Sequence, residues 1–132
     1  MLLAAAIMTV GTVAAAQSPA SAALPTCRVP YEKTGWKVWN LCIENDQSGT
    51  QTLNAWVYYK VAIPACATTR LYIVRSNDTL VYTTSLHTCS TDLVLRLDNK
   101  VSIAGFGYYA KLKAWNASGN QILGLDSPSV FA

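Results

Sequence analysis

Charge is scarce in this chain: 13% of its 132 residues are Asp, Glu, Lys or Arg, and none of these precedes Arg28. The ten basic and seven acidic side chains that follow give a net charge of +3 and form no run of like sign. That spread lacks the dense Lys/Arg stripe of a nucleic-acid binder and argues only weakly for anionic partners. Histidine is reduced to His87, and there is no G-x-S-x-G, H-E-x-x-H or EF-hand spacing. Recognisable signatures of a hydrolase, a metalloprotease or a calcium loop are therefore missing. No apolar pattern at helical spacing is sustained past residue 22, so neither a helical domain nor a basic amphipathic membrane helix is expected.

The chain begins with an uncharged leader. Leu2 to Ala16 is an apolar run as long as a signal-peptide core and shorter than the ~20 residues a membrane-spanning helix needs. Pro19 ends it, and Ala20-Ser21-Ala22 supplies the small-x-small pattern of a cleavage site; with no Lys or Arg in this segment, the amino terminus must carry its positive charge. Cleavage after Ala22 is expected. Residues 1–22 then form a signal peptide and residues 23–132 one secreted, extracellular domain without stable membrane insertion.

Cys27, Cys42, Cys66 and Cys89 form an even set with no C-x-x-C spacing, which in an exported chain reads as a disulfide framework rather than a zinc or redox site. Four cysteines allow three pairings, of which Cys27–Cys42 and Cys66–Cys89 are favoured. If Thr34-Gly35 is a two-residue hairpin turn in "CRVPYEKTGWKVWNLC", Lys33 faces Trp36, and counting outward sets Cys27 opposite Cys42. Directly opposed strand residues lie within disulfide range. The second bridge would join loops at one end of an antiparallel sandwich.

Short apolar or alternating runs rich in Val, Ile, Thr, Tyr and Trp recur about every ten residues, an all-β signature. Strands are expected at 35–44, 52–63, 69–75, 79–85, 92–97, 106–116 and 121–124, with a tail strand at 128–131. Turn chemistry separates them at Asp46–Gly49, Pro64–Cys66, Ser76–Asp78, Asp98–Lys100 and Asn116–Gly119. Seven or eight strands at this spacing point to an antiparallel sandwich. Alternation turns Leu71, Ile73, Leu93, Leu95 and Leu97 inward, and in 108–115 it separates Tyr108, Ala110, Leu112 and Ala114 from Tyr109, Lys111, Lys113 and Trp115. In 52–63 two faces compete, and the aliphatic set Leu53, Ala55, Val57, Tyr59, Val61 and Ile63 is preferred for the core.

"YYAKLKAWNASGNQILGLDSPSV" resembles the last two strands of a fibronectin type III or related immunoglobulin-like sandwich, through Tyr108, Ala110, Leu112, Ala114, Asn116, Gly119 and Ser127. The resemblance implies that Tyr108 is a tyrosine-corner residue, its hydroxyl bonded to backbone upstream. Ser102 stands where that pattern has leucine, and the approach loop lacks its proline. The alanine-rich leader and the Cys/Trp/Tyr-rich domain also resemble small uncharacterised secreted proteins of actinobacteria.

No catalytic set emerges. His87 lies in "SLHTCS" beside a bridge cysteine, and Glu32, Glu44, Asp46, Asp78, Asp92, Asp98 and Asp126 fall mostly at turns and strand ends, where backbone bonding explains them. Asn77-Asp78-Thr79 and Asn116-Ala117-Ser118 are glycosylation sequons, relevant only in a eukaryotic source. Four tryptophans and seven tyrosines exceed what one small core hides. Trp39 is among the rings expected to face outward. Trp56, Tyr58, Tyr109, Lys111, Lys113 and Trp115 are the candidate ligand-binding residues: flat rings stack on sugars or anchor interfaces, and lysines hold anions. Against this stands the plain reading of aromatic strand formers covered by lysine stems. The expected function is a secreted, non-catalytic binding or accessory domain for a glycan or protein, using no cofactor and no metal. The alternatives are an enzyme inhibitor presenting residues 64–70 or 85–91, and a small hydrolase built on His87.

Overall fold

The structure, a computed structural model, describes residues 25–33, 36–46, 51–61 and 64–132. The expected leader, the Thr34-Gly35 turn, residues 47–49 of the next turn, and Ala62 and Ile63 lie outside the described residues. The elements are β1 (Thr26–Cys27), β2 (Tyr31–Lys33), β3 (Trp36–Asp46), β4 (Thr52–Val61), β5 (Thr68–Arg75), β6 (Leu80–Thr83), β7 (His87–Thr88), β8 (Leu93–Val101), β9 (Gly107–Trp115), β10 (Gln121–Asp126) and β11 (Val130–Phe131). Seven of them have four residues or more, and no helix occurs among the described residues. They form two antiparallel sheets. One runs β1-β3-β4-β8 with β2 also on β3; the other runs β10-β9-β5-β6 with β11 on β9 and β7 on β5.

The sheets pack face to face through the side chains that alternation turned inward. Leu53, Ala55, Val57 and Tyr59 of β4 and Leu95 and Leu97 of β8 meet Leu71 and Ile73 of β5 and Tyr108, Ala110, Leu112 and Ala114 of β9, all buried. Leu93 is half-buried against this core. A polar tie crosses it: the Tyr59 hydroxyl lies 2.6 Å from Thr69 Oγ1, which donates in turn to the Lys113 carbonyl at 2.9 Å. Burial pushes the Tyr59 phenol up to about 12, because an ionised oxygen would lose its water without gaining a cation.

The hairpin register is as counted from the sequence: Lys33 pairs with Trp36 and Cys27 with Cys42. Both favoured bridges, Cys27–Cys42 and Cys66–Cys89, are formed. Beyond the hairpin β3 bulges between Trp39 and Cys42, with Asn40 at φ 54°. The extra residue exchanges the faces, so Val38 points inward before it and Leu41 and Ile43 after it, all three buried.

The turn expected at Asp98–Lys100 is not one. β8 continues through it to Val101, and the register against β4 shifts between Leu53 and Ala55. Asn99 takes φ 56° and donates its N–H to Asn54 Oδ1 at 2.8 Å. Asn tolerates the left-handed region, which serves a bulge as readily as a turn. Tyr108 accepts a hydrogen bond from the Ile103 N–H at 2.9 Å, backbone five residues upstream. Ser102 is buried and donates both its N–H and its hydroxyl to the Gln51 carbonyl, anchoring the approach loop by polar bonds where leucine would anchor it by packing. Ser127 Oγ accepts from the Ala110 N–H at 2.8 Å and so carries the chain from β10 to β11 along the same edge of β9.

Candidate functional site

The six candidate residues do not form one surface. Trp56 and Tyr58 lie on β4, facing out from the β1-β3-β4-β8 sheet, whereas Tyr109, Lys111, Lys113 and Trp115 lie on β9, facing out from the other sheet. The core separates the two sets. Alternation reports only whether a side chain faces in or out, and both strands face out on opposite sides of the sandwich.

On the β4 side the rings are covered. The Arg96 guanidinium sits 5.3 Å from the centre of Trp56, and its fork pairs with Asp98 at 3.0 and 3.1 Å. The ammonium groups of Lys37 and Lys60 lie 5.0 and 5.9 Å from the centre of Trp39. Tyr58 donates to Asp92 Oδ1 at 2.6 Å, and that bond, with some burial, raises its phenol above the usual value. Glu32 pairs with Lys37 and Glu44 accepts from Asn54. Ion pairs, hydrogen bonds and cation–ring contacts thus cover this outer face, each of a kind worth a fraction of a kcal/mol to ~1 kcal/mol to a sheet, while Trp39 Nε1 is buried without an acceptor.

The β9 side differs. An open groove of about 350 Å³ is lined by Val74, Leu80 and Tyr109 together with Lys111, Lys113, Asp78 and Asp126. Three of the six candidates therefore meet in one concavity. Trp115, at the far end of β9 between Thr68 and Gln121, does not line it. Tyr109 donates to Asp78 Oδ1 at 2.8 Å, which ties the 76–78 turn to the sheet face. Desolvation first, and then Asp78, push this phenol up to about 12. Lys111 pairs with Asp126 across β9 and β10 at 2.9 Å. Lys113 reaches over the buried Tyr72, 5.5 Å from the ring centre, and pairs with no carboxylate among the described residues.

Every Trp and Tyr whose side chain is described is buried or half-buried. The exposed large apolar side chains are instead Val29, Leu80, Leu86, Val94, Val101, Ile103, Phe106 and Phe131. The groove thus presents ammonium groups, with that of Lys111 5.7 Å from the centre of the Tyr109 ring, rather than a bare aromatic platform. His87 Nε2 is 3.5 Å from Ser85 Oγ. Of the two segments considered for an inhibitory loop, residues 68–70 belong to β5 and 87–88 to β7, leaving short loops on either side of the Cys66–Cys89 bridge. No group of three or more His, Cys, Asp or Glu placed to hold a metal occurs among the described residues.

Asp78, Asp126, Arg70 and Gly124 are among the residues of this face that the sequence does not single out, with Val74, Leu80 and Tyr72. The carboxylates were read as turn residues, and Arg70 sits opposite Lys113 only because β5 pairs with β9, a strand some forty residues away. Comparison of the chain with protein-family models, with curated proteins and with solved structures finds no match.

Proposed function

We propose that the protein is a secreted, non-catalytic binding or accessory domain of the immunoglobulin-like class, allied to fibronectin type III, and that it recognises an extracellular glycan or protein through the outer face of the β10-β9-β5-β6 sheet. The class reading is supported by the strand order. With β3 as strand A, the sheets read A-B-E and G-F-C-C′, and the Tyr108 hydroxyl makes the corner bond to Ile103 N–H. The two bridges fit an extracellular protein, which supports the secreted reading.

The observation that carries the functional reading is the groove, where Tyr109, Lys111 and Lys113 converge on about 350 Å³ of open concave surface. Few polar groups converging in a concavity are the usual form of a recognition site. The test compares retention of the mature domain on insoluble cell-wall glycan and in pulldowns from culture medium. Tyr109→Ala and Lys111→Ala are expected to lower retention, whereas Trp56→Ala and Tyr58→Ala, on the opposite side, leave it unchanged. Equal retention by all four variants sinks the assignment of this face.

A further inference from the structure

Across the outer face of the second sheet, the side chains of β5, β9 and β10 stand in rows set by strand register. One row reads Tyr72, Lys111, Asp126, and its cation is neutralised internally by the Lys111–Asp126 pair. The next row reads Arg70, Lys113, Gly124. Here two cations face each other directly across a strand pair, with Cβ atoms expected ~5 Å apart, an arrangement that destabilises a sheet. Neither has a carboxylate partner among the described residues, and Arg70 Nε is withdrawn from solvent without a hydrogen-bond acceptor. On the other side of Lys113, Gly124 contributes no side chain, so the row is open where its neighbour is closed by Asp126.

We infer that the Arg70–Lys113 row is an anion subsite at the end of the groove, taking the carboxylate of a uronic-acid unit in an extracellular acidic polysaccharide. This rests on the groove being the binding face. An Arg fork matches the two oxygens of a carboxylate, and a neighbouring ammonium adds a point charge. A bound carboxylate on the outer nitrogens of the Arg70 guanidinium would supply the counter-charge the row lacks. A saccharide carries it because the groove is open and runs along β9 past Tyr109, Lys111 and Lys113, which suits an extended chain of rings. The covered rings favour a ligand chosen by charge over one chosen by stacking.

The experiment titrates the mature domain with hexagalacturonate, with neutral cellohexaose and with inorganic phosphate, followed by calorimetry. Hexagalacturonate is expected to bind, more weakly as salt is raised. Arg70→Gln and Lys113→Gln should each weaken it about tenfold, the loss of one charge-assisted contact, and Lys113→Arg should restore it. Gly124→Glu supplies the row with an internal carboxylate. Its Cβ meets only the flexible Gln121 Nε2, at 2.9 Å, so this variant should fold, melt at a higher temperature than the wild type, and lose hexagalacturonate. Binding of hexagalacturonate that survives Gly124→Glu, or that Arg70→Gln and Lys113→Gln leave unchanged, overturns the subsite. So does phosphate that competes as well as the oligosaccharide binds. Cellohexaose bound as tightly and lost in Tyr109→Ala overturns the anion subsite while sparing the groove as a glycan site. Failure of both oligosaccharides overturns the subsite and removes the glycan reading with it.

Discussion

Removing the Tyr59 hydroxyl breaks a polar link through the core. In Tyr59→Phe, Thr69 Oγ1 keeps its bond to the Lys113 carbonyl and loses only its partner at 2.6 Å. One buried neutral hydrogen bond is worth ~1 kcal/mol, so stability at neutral pH should fall by about that amount. The pH dependence carries more information. The folded phenol is pushed up to about 12 from 10.0, so its contribution is complete below pH 10 and is lost as pH rises through the folded value. At about pH 11 the unfolded phenol is roughly nine-tenths ionised and the folded one about one-tenth, a tenfold ratio that removes ~1.4 kcal/mol from the wild type and nothing from the variant. Urea midpoints for both proteins at about pH 8 and pH 11 therefore give a wild-type loss exceeding the variant's by ~1.4 kcal/mol, with the other tyrosines cancelling in the difference. Equal losses in the two proteins would refute the placement of Tyr59 as a desolvated, neutral phenol.

Three further outcomes are expected. Tyr108→Phe leaves the Ile103 N–H without its acceptor and should cost ~1–3 kcal/mol in urea unfolding without changing the strand content seen by circular dichroism. Replacing Cys66 and Cys89 together by Ala opens a bridge with a sequence separation of 23 and should cost ~3 kcal/mol in the chain-entropy account, read as a lower urea midpoint. Asn99→Gly should be tolerated within ~0.5 kcal/mol, because its φ of 56° suits glycine, whereas Asn99→Val at that φ should cost ~1–2 kcal/mol by the same measurement.

The strand-level reading held where a local pattern sufficed. Tyr108, Ala110, Leu112 and Ala114 are inward because a pleated strand has a period of two, whatever it packs against. The Cys27–Cys42 pairing followed from counting along a single hairpin. Local reasoning failed where one chemistry serves two geometries. Asn99 has the chemistry of a turn residue, and its left-handed backbone instead makes a bulge within β8. The burial of Tyr72, on the outer side of β5, is likewise not legible along the strand, since Lys113 of β9 reaches over its ring.

By itself, then, the sequence determined which side of most strands is apolar, where most strands begin and end, and that Cys27 can meet Cys42 across a hairpin, because each of these depends on residues close along the chain. The tertiary structure decided which outward faces belong together. β4 and β9 offer similar aromatic and basic surfaces, and only their assignment to different sheets sets Trp56 and Tyr58 apart from Tyr109 and Lys113. The pairing of β5 with β9 then brings Arg70 beside Lys113. Such register between distant strands is fixed by burial of the whole inner face, which no single segment encodes.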